Sequence, residues 1–245
     1  MRIAVVGKGG SGKTTTSAVV ARVLGRRGLS VVALDCDSNP NLGISLGVGD
    51  QETERLVAMR QALDEGDEEH APEWDELIDR FGSDAPDGVR LAVVSRIENP
   101  DPGCPCCGLS PEQLLSSADF GDAIVLADLE AGIGTLTRLQ DATIDAVLIV
   151  VEPTPKSIEV GSRAYGLVRD KAVGRVVVVA NRIRNDEDLD RVRQAFPDAE
   201  IVAVPDDPAI VAADRSGVAA LDRTADAPAV LALIGVAERL LPVAS

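Results

Sequence analysis

Apolar residues run along the chain in two alternating rhythms. Short continuous runs of Val, Ala, Ile and Leu occupy residues 2–6, 30–35, 89–94, 122–128, 145–151, 175–180 and 200–204. They lack the polar alternation of a half-exposed strand, so they read as strands buried on both faces. Between them apolar positions recur every three to four residues, which predicts helices over 14–27, near 51–64, over 111–118, near 134–141, over 157–170 and 186–195, and a last one over about 228–241. Repeated strand-helix units predict an α/β fold, a mainly parallel doubly wound sheet flanked by helices on both faces and joined by right-handed crossovers. Ligands bind such sheets beyond the carboxyl ends of the strands. The residues that follow each run are therefore the candidates for chemistry.

The first run opens directly onto Gly7-Lys8-Gly9-Gly10-Ser11-Gly12-Lys13-Thr14-Thr15 and then onto a helical pattern. Strand, glycine loop and helix start together satisfy G-x-x-x-x-G-K-[ST], the phosphate loop of P-loop NTPases, whose backbone N–H groups surround an anion at the positive end of a helix. Gly9, Gly10, Ser11, Gly12, Lys13, Thr14 and Thr15 are the expected nucleotide contacts. Lys13 would neutralise the β- and γ-phosphates and the Thr14 hydroxyl would bind Mg²⁺. Lys8 is surplus to that arrangement. The form Lys-Gly-Gly-x-Gly-Lys-Thr-Thr resembles the deviant Walker A loop of the MinD/ParA/nitrogenase-iron-protein class of dimeric ATPases, and the resemblance implies that Lys8 crosses a two-fold interface to the partner's phosphates, as charge-stabilising fingers do in other NTPases.

Further candidates stand at other strand ends. Strand 30–35 runs into Asp35-Cys36-Asp37-Ser38-Asn39, and alternate residues of an extended segment share a side. Asp35 and Asp37 are thus placed to face the γ-phosphate, one serving the Mg²⁺ shell and one the attacking water. The segment resembles the switch I element of the same class, which implies that Asp37 activates the water. Strand 122–128 ends in Asp128, a Walker B shape that would hold Mg²⁺ through water. The following Leu129-Glu130-Ala131-Gly132-Ile133-Gly134 resembles switch II, with Glu130 and Gly132 as its marked residues. For the base, the class reads adenine with an Asn after one late strand and the loop after the next, which points to Asn181 and to Pro205 and Asp206. An Asn amide matches the N6/N7 edge of adenine, and a turn-capping role is the rival for Asn181.

Composition narrows the reading. A chain of 245 residues, 45% hydrophobic, suits a single P-loop ATPase domain over 1–245. Its five aromatic residues and net charge of −16 offer neither stacking platforms nor a basic stripe, so no nucleic-acid partner is expected. No apolar run approaches the roughly 20 residues of a membrane span, and Met1-Arg2 leads straight into the first strand, so no membrane association and a cytoplasmic location are expected. From Gln61 to Asp87 eleven acidic residues face one basic residue, Arg80. This is read as an acidic helical insertion over about 50–88, a solvated surface or a docking surface for a partner. His70, the single histidine, lies inside it and is not assigned to chemistry.

Four cysteines in a cytosolic chain favour metal binding or catalysis over disulfides. Three of them stand in Gly103-Cys104-Pro105-Cys106-Cys107-Gly108, ahead of the helix start Ser110-Pro111-Glu112-Gln113. In an extended stretch Cys104 and Cys106 point to one side, and two thiolates supply half of a tetrahedral site. A two-fold homodimer would supply the rest, one Ni²⁺ or Zn²⁺ per dimer. The phosphate loop, Asp35 to Asn39, the Cys104-x-Cys106 pair and Asp128 to Ile133 together resemble the CooC-type carbon monoxide dehydrogenase nickel-insertion ATPases. That resemblance implies an ATP-hydrolysing, Mg²⁺-dependent homodimeric metallochaperone whose client is a carbon monoxide dehydrogenase-like metalloenzyme. Two alternatives stay open: an iron-protein-type reductase with a bridging [4Fe–4S] cluster, although residues 129–140 contain no cysteine, and a metal-free MinD/ParA-type switch ATPase.

Overall fold

The computed structural model describes residues 1–65, 78, 82–94, 111, 115, 119–130, 134–138, 144–171 and 173–241. Eight strands form one sheet: β1 (Arg2–Gly7), β2 (Val31–Cys36), β3 (Ser83–Ala85), β4 (Val89–Val93), β5 (Ile124–Leu129), β6 (Ala146–Val151), β7 (Arg175–Ile183) and β8 (Glu200–Pro205). Their order is β3-β4-β2-β5-β1-β6-β7-β8. Every pairing is parallel except β3 with β4. All seven strands expected from the apolar runs are present, their ends within a few residues of the expectation. β3 was not expected, because three residues reading Ser-Asp-Ala carry no apolar run.

The connecting helices are α1 (Lys13–Arg26), α2 (Leu42–Leu46), α3 (Asp50–Glu65), α4 (Gly134–Arg138), α5 (Pro155–Asp170), α6 (Asp186–Ala195), α7 (Pro208–Arg215), α8 (Ala220–Arg223) and α9 (Pro228–Leu240). Alternate residues of the central strands enter two apolar clusters. Ile3, Val5, Ala33, Leu126 and Leu148 pack under α1 and α9. Ala4, Val6, Leu34, Cys36, Ala127 and Ile149 pack on the other face with Ala164 and Val168 of α5 and Val192 of α6. Cys36 therefore packs inward. Phe196 closes this second layer, fully buried and edge-on to Tyr165 with ring centroids 5.7 Å apart. Burial of such a ring contributes roughly 2–3 kcal/mol.

α5 begins at Pro155, two residues earlier than the apolar periodicity suggests, because Pro fits the first helical position. The acidic segment starts inside α3, which buries Leu56 and Arg60, and it ends in the β3–β4 hairpin. Its residues 66–77 and 79–81, His70 among them, lie outside the described residues. So do Cys104, Cys106 and Cys107, and of the helix expected over 111–118 only Pro111 and Leu115 are described, both helical. No described helix is long and apolar enough to cross a membrane.

Far along α1 from the phosphate loop, Arg22 is 2% exposed and fully engaged. Its Nε donates to Asp87 Oδ2 at 2.6 Å, its two Nη groups donate to the Asp222 carboxylate at 2.7 and 2.6 Å, and Nη1 also reaches Leu46 O at 3.3 Å. One guanidinium thus joins α1 to α2, α8 and the turn between β3 and β4. Such planar two-point pairing suits Arg and not Lys.

Candidate functional site

Residues 8–12 leave β1 at the carboxyl edge of the sheet and return into α1. Gly7 must be glycine because a Cβ there would sit 2.3 Å from Val150 O. At Gly12 the backbone has φ 97°, a left-handed conformation that glycine adopts freely, and a Cβ would lie 2.3 Å from Asn181 Nδ2. No side chain caps α1 and no acidic residue stands in its first turn. Its leading N–H groups and the positive end of its dipole are thereby left for an anion. Lys13 is 5% exposed beside this end. Lys8 is half-buried, its Nζ bound only to Gly9 O at 3.2 Å, and no carboxylate among the described residues pairs with it.

Behind the loop lie two buried carboxylates. Asp35 and Asp128 are each 1% exposed and stand in register on neighbouring strands β2 and β5. Asp128 accepts hydrogen bonds from the hydroxyls of Thr14 and Ser17, the latter at 3.1 Å. Asp35 accepts from the N–H groups of Leu42 at 2.8 Å and Asp37 at 3.3 Å. Burial pushes Asp35 up to about 8, helped by the charge of Asp128 and opposed by those two N–H groups. Burial also raises Asp128, to about 6, against the pull of Thr14, Lys13 and Ser17. Asp37 is half-buried at the mouth, where its carboxylate accepts from Asn39 N at 3.0 Å. Ser38 Oγ donates to Glu130 Oε1 at 3.1 Å, tying the segment after β2 to the segment after β5.

The opposite wall is built by β7 and β8. The β7–β8 register shifts between Ala180 and Ile183, which pushes Asn181 and Arg182 out of the ladder. Arg182 has φ 56°, and its guanidinium pairs with Glu152 at the end of β6. A cleft lies between this bulge and α7, lined by Gly12, Thr15, Asn181, Pro205, Asp206 and Ile210 among others. Asp207 fixes the cleft from below, capping α7 through Ala209 N and accepting from Ala229 N at the start of α9.

The fold therefore brings together Gly9, Gly10, Ser11, Gly12, Lys13, Thr14 and Thr15 with Asp35, Asp37 and Asp128 on one side and Asn181, Pro205 and Asp206 on the other. Glu130 joins them through Ser38, while Gly132 lies outside the described residues. Sequence reasoning missed Ser17, Ser38 and Asp207. Ser17 stands three residues after Thr14 on the same helix face, a spacing that could have revealed it. The donor set fits Mg²⁺: a hydroxyl and carboxylates, hard oxygen ligands beside an anion-binding loop. Among the described residues no group of three or more His, Cys, Asp or Glu side chains could hold a metal ion. Mg²⁺ here would therefore rely on phosphate and water oxygens alongside Thr14 and Asp128, and when bound it would neutralise phosphate charge.

Residues 3–220 match the family model described as the CobQ/CobB/MinD/ParA nucleotide binding domain. The chain is 32% identical over 202 residues to an uncharacterised ATP-binding protein of Methanocaldococcus jannaschii, covering 76% of this chain and 77% of that one. It is 29% identical over 241 residues to the carbon monoxide dehydrogenase accessory protein CooC of Rhodospirillum rubrum, covering 91% and 90%. Among solved structures, a ParA family ATPase from Chlorobium tepidum superposes with a TM-score of 0.71 at 19% identity, over 98% of both chains. The mainly parallel sheet, the phosphate loop with its carboxylates and the matched span agree: this chain belongs to the CobQ/CobB/MinD/ParA nucleotide-binding family and is an ATPase.

Proposed function

We propose that this ATPase works as a homodimer that carries a thiolate-bound metal ion, Ni²⁺ or Zn²⁺, to a client metalloenzyme resembling carbon monoxide dehydrogenase. The observation that carries this reading is the pairing of Cys104-x-Cys106 with 29% identity to a carbon monoxide dehydrogenase accessory protein over nine tenths of both chains. Lys8 supports it, since a phosphate-loop lysine with no carboxylate partner among the described residues is available to a second copy's nucleotide.

In this mechanism the α1 N-terminus and Lys13 bind the phosphates, Thr14 and Asp128 serve Mg²⁺, and Asp37 orients the attacking water. Phosphoryl transfer needs mainly positioning and charge stabilisation, so no nucleophilic side chain is called for. Asp35 holds the N–H groups of Asp37 and Leu42, and Ser38 with Glu130 links the two switch segments, so occupation of the γ-phosphate site would be felt by both. Cys104 and Cys106 of both copies would hold the ion on the two-fold axis. If closure of the dimer tightens metal binding, metal must tighten ATP-driven closure by the same factor.

The test is metal content of protein purified without oxygen, loaded with Ni²⁺ or Zn²⁺ and a non-hydrolysable ATP analogue. The expected result is about 0.5 ion per chain, one per symmetric dimer, abolished by Cys104→Ala with Cys106→Ala. Iron with acid-labile sulfide would replace this reading with the reductase one. No metal at all would leave a switch ATPase.

A further inference from the structure

Asn181 stands where a base reader is expected, yet its amide is committed elsewhere. Its Nδ2 donates to Ser11 O at 2.7 Å, and its Oδ1 accepts from Arg182 N at 3.0 Å. The assignment of oxygen and nitrogen is fixed by these partners, because the flipped amide would set oxygen against the Ser11 carbonyl and NH₂ against the Arg182 N–H. The amide also lies against the phosphate loop, close enough that a Cβ at Gly12 would be 2.3 Å from Nδ2.

Ser11 is consequently held from two directions. Its N–H donates to Lys8 O at 3.1 Å, inside the loop, and its carbonyl is taken by Asn181 from across the site. Its side chain is fully buried, with no hydrogen-bond partner for Oγ among the described residues, so no described partner of the hydroxyl explains why Ser11 stays put. The restraint comes from β7. The bulge that aims Asn181 is in turn fixed by Arg182, whose left-handed backbone is supported by the Asn181 Oδ1 bond and by the Glu152 pair.

We infer that Asn181 is a positioning residue for the phosphate loop, holding Ser11 in the conformation that binds phosphate whether or not a base is present. An amide has two donors and two acceptor sites, so one of each remains for adenine, and the same side chain ties base cleft and phosphate loop together. Base contacts at the cleft are then transmitted to the loop through a single rigid group. This rests on the nucleotide site alone; the metal reading can fail without affecting it.

A ligand with phosphates and no base separates the roles. Magnesium tripolyphosphate and ATP would each be titrated against a fluorescent ATP analogue on the full chain, well below each variant's unfolding temperature, with Kd as the readout. At such temperatures the competent fraction of each variant is close to one, so the apparent Kd reports the site and not the folding equilibrium. For Asn181→Ala the expectation is about tenfold weaker binding of tripolyphosphate and a loss at least as large for ATP. Asn181→Asp keeps an acceptor for Arg182 N and sets oxygen against the Ser11 carbonyl, so it should bind tripolyphosphate no better than the alanine variant. Tripolyphosphate affinity unchanged in either variant, with or without a loss for ATP, would overturn the inference.

Discussion

The two ends of α1 bury charge in opposite ways. Near its N-terminus Asp35 and Asp128, each 1% exposed, lie side by side, and no ion pair among the described residues reaches either. Near its C-terminus Arg22 is as deeply buried but is met by two carboxylates and a carbonyl. Charge that is balanced inside the protein is a strut, because nothing further has to bind for it to be satisfied. Charge left unbalanced is a site, maintained against its own desolvation because a ligand completes it. The same helix thus carries a permanent joint at one end and a conditional one at the other.

If that contrast holds, substitutions at the two ends should fail in different currencies. The largest effect is expected at the conditional end, in turnover: Lys8→Ala should lower steady-state ATP hydrolysis by about 10²–10³-fold while nucleotide affinity stays within about threefold. Unchanged hydrolysis would make Lys8 a solvated surface residue. At the permanent end the effect should appear in stability. Arg22→Ala leaves Asp222 without its cation and Asp87 with Arg26 alone, at 3.0 Å, and both carboxylates are partly exposed, so urea unfolding should report a loss of about 2–3 kcal/mol, below the full cost of stranding a buried ion. Wild-type stability in that variant would dissolve the comparison.

The smallest effect is the most diagnostic, because it concerns pH. Asp35 and Asp128 hold their protons more tightly folded than unfolded, so the ligand-free protein takes up protons on folding between about pH 4 and pH 8. Their contribution is fully present below about pH 4 and is lost as pH rises through about 6 for Asp128 and about 8 for Asp35. Asp35→Asn removes the larger part. Between pH 5 and pH 8 its stability should therefore fall less steeply than that of the wild type in urea titrations. Parallel pH profiles would mean that Asp35 is already ionised and balanced in the folded chain.

Much of this arrangement was legible in the sequence because it is local. Buried parallel strands announce themselves as apolar runs, and Gly7 to Thr15 spells out a loop whose conformation is set by its own glycines. The short elements were not legible. α2, reading Leu-Gly-Ile-Ser-Leu, is too brief to display a helical period, and β3 exists only because β4 offers it an edge. α7 did carry signals, Asp207 as cap and Pro208 at the first position, yet a Pro after two aspartates reads equally well as a turn. The position of Asn181 was legible and its engagement was not, since Arg182 at φ 56° and a shifted register are imposed by neighbours from distant parts of the chain. The buried state of Asp35 likewise depends on Asp128, 93 positions later.

That separation has a consequence for how the protein is made. β1 finds its neighbours only in β5 and β6, so the strand that carries the phosphate loop is translated before both of its partners and paired late. At about 5–20 residues per second, roughly 10–30 s of synthesis pass before residue 151 leaves the ribosome and the strand is enclosed on both sides. Throughout that interval Ile3 to Val6 form an uncovered apolar edge, and a nascent-chain holdase that recognises such edges would determine how much of this ATPase reaches its native sheet.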